Sequence, residues 1–210
     1  MRIILLGMPG AGKGTQAQLI QEKLSIANVS TGAILRDVSK SETDLGRRVQ
    51  SFLNSGQLVP DEIIIEMLVN RISMQDCLDG FILDGFPRNI EQARSLEEAG
   101  VDIDLVVYLK ISEDEIINRM SGRRVHLPSG RSYHLVFNPP KVEGKDDVTG
   151  EDLVLRSDDT AAVIKKRLEV YFKETEPMLA YYRDQNLKFY EVDAGNSVDE
   201  VTKDIFEIIN

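Results

Sequence analysis

Gly7-Met8-Pro9-Gly10-Ala11-Gly12-Lys13-Gly14-Thr15 is the stretch that decides the fold of this 210-residue chain. An apolar run over residues 3–6 precedes it, and a helical pattern over about 16–24 follows it. The glycines leave backbone N–H groups unobstructed by Cβ atoms, so several can converge on one anion. The following helix adds its dipole, and Lys13 adds a positive charge. The stretch therefore predicts a phosphate-binding loop rather than a plain glycine-rich turn.

The spacing Gly-x4-Gly-Lys is that of a nucleoside triphosphate site, with one departure. Most such loops have Ser or Thr directly after the lysine, whereas here Gly14 intervenes and the hydroxyl comes at Thr15. We predict that six consecutive residues bind the triphosphate: Gly10, Ala11, Gly12, Lys13, Gly14 and Thr15.

Composition limits the partners and the compartment. The net charge of −10 disfavours nucleic acid and membrane surfaces, and a nucleotide site must therefore be built locally from clustered cations. No apolar run approaches the ~20 residues of a membrane span, and the N-terminal apolar run is too short for a signal peptide. The single cysteine, Cys77, cannot form an intrachain disulfide. We expect a cytoplasmic protein that is a monomer.

Alternating strand and helix patterns predict an α/β fold with a parallel, doubly wound sheet flanked by helices. Strands are predicted at 3–6, 81–83, 105–111 and 189–192. Helices are predicted at about 16–24, 44–54, 61–72, 90–99, 113–122 and 198–209, with a long helix from about 160 to 186 that tolerates Pro177.

Two segments interrupt this alternation. Residues 30–59 are polar and helical, whereas residues 122–159 are rich in glycine, proline and histidine and are expected to form mostly a hairpin. The remaining segments, 1–29, 60–121 and 160–210, form the predicted core domain.

A second motif, Asp84-Gly85-Phe86-Pro87-Arg88, directly follows the strand at 81–83. Ligands of open parallel sheets bind at the carboxyl ends of the strands, so this motif is expected to face the glycine loop. Asp84 is placed to hold Mg²⁺ through water, although a turn or cap residue is the alternative. Arg88 is placed to contact phosphate.

Absent motifs narrow the chemistry further. The chain has no Asn-Lys-x-Asp guanine reader, no His-Arg-Asp loop and no Asp-Phe-Gly, which disfavours a regulatory GTPase and a protein kinase. No general base is found near the glycine loop. A phosphate acceptor is already an oxyanion and needs no base, so a site rich in arginine predicts a phosphorylated acceptor.

The motifs together resemble bacterial adenylate kinases of the long-lid form. They are the glycine loop, Ser30-Thr31-Gly32 with Arg36, Asp84–Arg88 with Gln92, Gly122-Arg123-Arg124, and Arg156-x-Asp158-Asp159 with Arg167. The resemblance implies the P-loop nucleoside-monophosphate-kinase fold and the reaction MgATP + AMP ⇌ 2 ADP. It also implies that 30–59 is an AMP-binding domain and 122–159 a lid that keeps water out.

The resemblance implies the following roles. The residues implied for AMP are Thr31, Arg36, Gln57, Leu58, Val59, Gly85, Phe86, Pro87, Arg88, Gln92, Arg156 and Arg167. Those implied for ATP, besides the glycine loop, are Arg119, Arg123, Ser132, Tyr133 and Asn196. Those implied for catalysis are Lys13, Arg88, Arg123, Arg156, Asp158, Asp159 and Arg167.

Some lids of this family carry four cysteines that bind zinc. His126, Ser129, Asp146 and Thr149 occupy the corresponding spacing here. Without thiolates we expect hydrogen bonds among them and no structural zinc, a weak His/Asp metal site being the alternative.

Two other functions stay open from the sequence. A UMP or CMP kinase is the nearest alternative enzyme, and Thr31, Gln92 and the long lid favour AMP. A nucleotide-binding switch with negligible turnover is the alternative from another class, and an assay of ADP formation would separate it from an enzyme.

Overall fold

The computed structural model describes residues 1–156, 159–185 and 187–210. Its strands are β1 (Arg2–Gly7), β2 (Ala27–Ser30), β3 (Phe81–Asp84), β4 (Leu105–Lys110), β5 (Arg123–Val125), β6 (Ser132–His134) and β7 (Lys188–Asp193). Its helices are α1 (Lys13–Leu24), α2 (Thr31–Ser39), α3 (Asp44–Ser55), α4 (Asp61–Ile72), α5 (Ile90–Glu98), α6 (Glu113–Gly122), α7 (Ala161–Val170), α8 (Pro177–Asp184) and α9 (Val198–Ile209).

Five strands form a parallel sheet in the order β2-β3-β1-β4-β7. Strand β1 lies at its centre, paired with β3 on one side and β4 on the other. The residues of β1 alternate between two apolar clusters, one containing Ile3 and Leu5 and the other Ile4 and Leu6. Helices cover both faces, as expected of a parallel sheet whose strands read as continuous apolar runs. The predicted fold class is confirmed.

Polar side chains cap the N-termini of several helices. Thr43, Asn89, Ser112 and Thr160 each accept a hydrogen bond from a backbone N–H in the first turn of the helix that follows. Ser197 and Glu200 form a reciprocal capping box at α9. Such contacts satisfy N–H groups that have no partner within the helix.

Strand β2 was not predicted, because it has only four residues and leads directly into α2. The predicted long helix over about 160–186 is found as helical backbone over 161–184, but a π-helical turn at Tyr171–Thr175, which was not predicted, lies between α7 and α8. Pro177 accounts for this turn, since it lacks the N–H that would continue a regular helix. The predicted end at Asn186 lies outside the described residues.

The two segments that interrupt the predicted alternation, 30–59 and 122–159, lie between core elements in the sequence. Helices α2 and α3 pack together and lie between β2 and α4. Strands β5 and β6 form a small antiparallel sheet, and single bridges join Val125 of β5 to Val154 and, separately, Lys145 to Asp152. The domain boundaries at 30–59 and 122–159 stay predictions. Among the described residues, no helix combines the length and apolar character that crossing a membrane requires.

Candidate active site

The carboxyl ends of β1 and β3 bring the two motifs together. These strands are parallel neighbours, with Leu5 opposite Asp84, so the loops that follow them leave the same edge of the sheet. A Cβ atom built on Gly14 would lie 3.5 Å from Oδ2 of Asp84. The Asp84 carboxylate therefore sits beside the first turn of α1, and its role in holding Mg²⁺ through water stays a prediction.

The glycine loop wraps closely around the beginning of α1. Gly10 has a φ of 88°, and a Cβ atom there would lie 2.6 Å from Sδ of Met120, so the loop requires glycine at this position. Gly12 precedes the helix in the left-handed conformation and provides no side-chain cap. The first turn of α1 also carries no acidic residue. Its N–H groups and positive dipole end can therefore serve an anionic ligand.

Lys13 is folded back onto its own loop. Its Nζ donates hydrogen bonds to the carbonyl oxygens of Gly7 at 2.7 Å and Met8 at 2.8 Å. Burial lowers the pKa of Lys13 to about 7, and the charges of Arg88, Arg167 and Arg123 act in the same direction, whereas Asp84 opposes them. Cations from three separate elements thus surround the lysine, and an anion bound here would relieve their mutual repulsion.

The loop after β3 is fixed by contacts with α2. Thr31 is buried, and its Oγ1 donates to the carbonyl oxygen of Gly85 at 2.9 Å. Gly85 has a φ of 82°, and a Cβ atom there would approach both Thr31 Oγ1 and the guanidinium of Arg88. Nε of Arg88 donates to the Gly85 carbonyl at 2.7 Å. The neighbouring Phe86 and Pro87 are buried, so backbone and packing hold Arg88 in place.

An open cleft lies between this loop, α2, α3 and α7. Leu35, Phe52, Leu58, Val59 and Ile64 give it an apolar wall, and three arginines give it positive charge. The predicted AMP residues that line it are Arg36, Gln57, Leu58, Val59, Arg88, Gln92 and Arg167. An apolar wall beside clustered guanidinium groups suits a ligand with a flat base and a phosphate.

Gln92 has a defined amide orientation. The backbone N–H of Arg88 donates to its Oε1 at 2.7 Å, and its Nε2 donates to Oδ1 of Asp61 at 2.6 Å. Asp61 also accepts hydrogen bonds from Nδ2 of Asn89, the residue that caps α5. Because a backbone N–H can only donate and an ionised carboxylate can only accept, these partners fix which amide atom is the oxygen. Gln92 also lines the cleft.

Two of the predicted catalytic arginines share one buried carboxylate. Arg123, at the start of β5, forms a bidentate pair with Asp159, and Nη1 of Arg167 lies 3.7 Å from the same carboxylate. The Asp159 side chain is fully buried. Arg156 precedes Asp159 by three residues and is half-buried. Its carbonyl oxygen accepts a hydrogen bond from the N–H of Asp159. Asp159 thus holds arginines in place, whereas Asp158, also predicted to be catalytic, lies outside the described residues.

The residues predicted for the ATP base converge at the end of α6. Nη2 of Arg119 lies 3.3 Å from the Gly195 carbonyl and 3.5 Å from that of Asn196. Burial lowers the pKa of Arg119, while Glu115 and Asp193 act against this. The guanidinium lies 5.7 Å from the ring centre of Phe137, an exposed residue of the segment after β6. Phe137 was not predicted, because nothing in its local sequence shows that it reaches Arg119.

The four residues that occupy the spacing of the zinc cysteines, in the segment predicted to be a lid, form one hydrogen-bonded cluster, as the sequence predicted. Nδ1 of His126 contacts Oγ of Ser129 at 2.7 Å, and Thr149 Oγ1 donates to Asp146 Oδ2 at 2.9 Å. Thr149 also contacts His126 Nε2 at 3.3 Å.

Three further residues join the lid cluster. Arg131 forms a bidentate pair with Asp146, Tyr133 OH donates to Asp146 at 2.9 Å, and His126 Nε2 contacts Glu151. The Arg131 guanidinium holds the pKa of Asp146 far below its usual range. Within the described residues no group of three or more His, Cys, Asp or Glu side chains is arranged to bind a metal ion. Ser132 and Tyr133 lie on β6, opposite β5.

Two residues that support the site were also missed from the sequence. Asp61 orients Gln92, and Thr175 donates from Oγ1 to the Arg88 carbonyl at 2.7 Å. Asp61 lies 31 residues from Gln92 in the sequence, and Thr175 lies 87 residues from Arg88. Only the tertiary fold brings them into contact.

A comparison with known protein families agrees with this geometry. A family model described as "Adenylate kinase" matches residues 5–187. The matched range contains the glycine loop, the loop after β3, and the arginines of α6, β5 and α7.

Proposed function

The chain belongs to the adenylate kinase family and is a phosphotransferase, and from this premise we propose that it catalyses MgATP + AMP ⇌ 2 ADP. One observation carries the proposal. Lys13, the first residue of α1, lies within electrostatic range of Arg88, Arg123 and Arg167, which come from three other parts of the chain. A site built in this way can hold two phosphorylated ligands against one another.

We assign the two nucleotides to the two loops. The glycine loop would hold the ATP phosphates through its N–H groups and Lys13. The cleft beside α2 and α3 would hold AMP, with Arg36 and Arg88 at its phosphate and the apolar wall against its base. Arg123, Arg156 and Arg167 would neutralise the charge of the phosphoryl group in transfer. Asp159 would keep Arg123 and Arg167 in position.

Mg²⁺ fits this site as the partner of ATP. A carboxylate is the ligand type that Mg²⁺ accepts directly or through water, and the Asp84 carboxylate lies beside the first turn of α1. The ion would supply charge neutralisation at the phosphates. The protein would contribute orientation, and it would need no general base because the AMP phosphate is an oxyanion at neutral pH.

The lid has a separate proposed task. Phosphoryl transfer to water competes with transfer to AMP, so the site has to exclude solvent during the reaction. Residues 122–159 begin at the end of α6, beside Arg119 and Arg123. We assign them to the covering of ATP, with Ser132 and Tyr133 closing over the nucleotide and Arg119, Asn196 and Phe137 around its base.

Gln92 supports adenine over uracil at the acceptor. Its Oε1 accepts the N–H of Arg88 and one Nε2 hydrogen goes to Asp61, which leaves an N–H donor for the base. Adenine N1 accepts such a donor, whereas N3 of uracil carries a hydrogen and would oppose it. Cytosine N3 is also an acceptor, so CMP is disfavoured only by the smaller area that it would bury against the apolar wall.

The test is a coupled assay of ADP formation with MgATP and each of AMP, CMP, UMP and GMP. We expect the fastest turnover with AMP, dependence on Mg²⁺, and little hydrolysis of ATP when no acceptor is present. A preference for UMP or CMP would replace the proposal with the alternative kinase. Nucleotide binding without any transfer would indicate a binding protein instead of an enzyme.

A further inference from the structure

A buried threonine holds the backbone of Arg88. Thr175 is 8% exposed, and its hydroxyl donates to the Arg88 carbonyl oxygen at 2.7 Å. The contact joins the segment between α7 and α8 to the loop after β3. No sequence motif includes Thr175, and the proposed function assigns it no part in binding or catalysis.

The local structure explains why Thr175 reaches this carbonyl. It lies at the end of the π-helical turn Tyr171–Thr175, in which the N–H of Glu176 bonds to the Tyr171 carbonyl at 2.9 Å, five residues back. Pro177 follows, and a proline both lacks an N–H and crowds the carbonyl four residues before it. The widened turn changes the rotation of the chain between the two helices. Such turns are frequent at functional sites.

Thr175 completes a set of contacts that leaves Arg88 little freedom. The N–H of Arg88 donates to Gln92, its carbonyl accepts from Thr175, and its Nε donates to Gly85 at 2.7 Å. The backbone is thus held on both sides of the Cα atom. A guanidinium placed on so fixed a backbone loses little entropy when it binds an anion.

The same helical segment also carries a second arginine of the site. Arg167 lies on α7, eight residues before Thr175, and lines the cleft together with Arg88. Movement of this segment relative to the loop after β3 would therefore change the separation of the two guanidinium groups. The hydroxyl of Thr175 is a direct link between the segment and the loop.

We propose that Thr175 is a positioning residue for the acceptor phosphate, acting through the Arg88 carbonyl and the π-helical turn. This inference rests on the proposed function, because it takes the ligand of Arg88 to be the phosphate of AMP. Thr175 itself contacts no substrate. Its loss should affect the handling of AMP and leave the binding of ATP unchanged.

The test is Thr175→Val, which keeps the shape of the side chain and removes the O–H. We expect kcat/KM for AMP, and AMP affinity by calorimetry, to fall about tenfold, the scale of one lost hydrogen bond. KM for ATP and ATP affinity should stay at the wild-type values. Thr175→Ser restores the hydroxyl and should recover AMP affinity. The matched control is Thr202→Val, since Thr202 also donates to a carbonyl, that of Val198 at 2.6 Å on α9.

The outcomes separate positioning from stability alone. A variant that loses thermal stability but keeps wild-type AMP affinity, or that loses AMP and ATP affinity equally, would overturn the inference. Failure of Thr175→Ser to recover AMP affinity would do the same. A wild-type protein that binds AMP but forms no ADP would refute the proposed function instead, and the calorimetric comparison of AMP affinities would still decide the role of Thr175.

Discussion

The proposed AMP side of the site and the proposed lid are held together by different contacts. On the AMP side, neutral side chains bind backbone atoms of the core: Thr31 to Gly85, Gln92 to Arg88, and Thr175 to Arg88. In the lid, the buried carboxylate of Asp146 accepts hydrogen bonds from Arg131, Tyr133 and Thr149, which all belong to the same segment. Lid residues such as Val136 and Val148 also remain 73% exposed.

This difference indicates which part of the site is formed before substrate arrives. The contacts on the AMP side anchor Arg88 to β3, α5 and the segment after α7, so its position is set in the free protein. Among the described residues, the side-chain hydrogen bonds of the lid cluster join only residues within 126–151, so they link parts of the proposed lid to one another and not to the core. We therefore expect the AMP side to be preformed and the lid to close as a unit over bound ATP.

Lys13 lies where the two regions meet, and its loss should have the largest effect. Lys13→Ala removes the charge around which Arg88, Arg123 and Arg167 are arranged. We expect kcat to fall by ~10³-fold, the scale reported for loss of a donor that stabilises transition-state charge. Steady-state ADP formation at saturating ATP and AMP measures it. Lys165→Ala, on the exposed side of α7, is the control, and near-normal turnover of Lys13→Ala would exclude the assigned role.

Arg88→Ala tests whether the preformed side serves AMP alone. The change removes a charged contact to phosphate, and KM for AMP should rise about a hundredfold, with ATP affinity nearly unchanged. Initial rates over a range of AMP concentrations, with calorimetry of ATP binding, provide both values. Arg94→Ala is a suitable control, because Arg94 is exposed and pairs only at 3.5 Å with Glu91. Equal losses for both nucleotides would remove the distinction between the two regions.

The sequence predicted where the two motifs meet better than it predicted the contacts that support them. The glycine loop and Asp84–Arg88 follow strands, so their meeting at the sheet edge followed from parallel pairing alone. Strand β2 was missed because four residues at the sheet edge carry too weak a pattern. The π-helical turn was missed because the apolar pattern continues through it, whereas Pro177 changes the hydrogen bonding. Thr175 and Asp61 act through long-range contacts, which no local pattern contains.

Asp146→Asn should loosen the lid without affecting the AMP side. The carboxylate pairs with Arg131 and accepts from Tyr133 and Thr149, and an amide cannot accept from all of them. We expect about tenfold faster hydrogen exchange in residues 123–154 and a KM for ATP raised by a similar factor, with AMP affinity unchanged. The control is Asp152→Asn, because Asp152 forms only an exposed pair with Lys145.

The same lid variant also tests the pH dependence of the cluster. The pKa of Asp146 is lowered in the folded protein, so its contribution is present above the pKa of the unfolded chain, about 4, and is lost as the pH falls through the folded value. Acid should therefore destabilise the wild-type lid more than the Asp146→Asn lid. Identical exchange rates in wild type and variant would show that this cluster does not hold the lid together.

The smallest expected effect is the uptake of a proton when nucleotide binds. Lys13 has a pKa of about 7 in the free protein, so it is mostly neutral at about pH 8.5. Bound triphosphate offsets the surrounding arginine charges and should raise this pKa toward its ordinary value, so that MgATP binding takes up nearly one proton. Without nucleotide, Lys13 is protonated in the unfolded chain but mostly neutral in the folded protein between about pH 7 and 10.5. The Lys13 contribution to the free energy of unfolding therefore rises with pH in this range.

Calorimetry of MgATP binding in two buffers with different ionisation enthalpies measures this proton. The dependence of the observed enthalpy on the buffer enthalpy gives the number of protons taken up, and Lys13→Ala should reduce it to near zero. AMP alone, which the proposed function places at Arg88, should take up a smaller fraction because the proposal places its phosphate farther from the glycine loop. Equal uptake for AMP and MgATP would mean that Lys13 responds to both ligands alike, and the division of the site into two regions would not extend to its electrostatics.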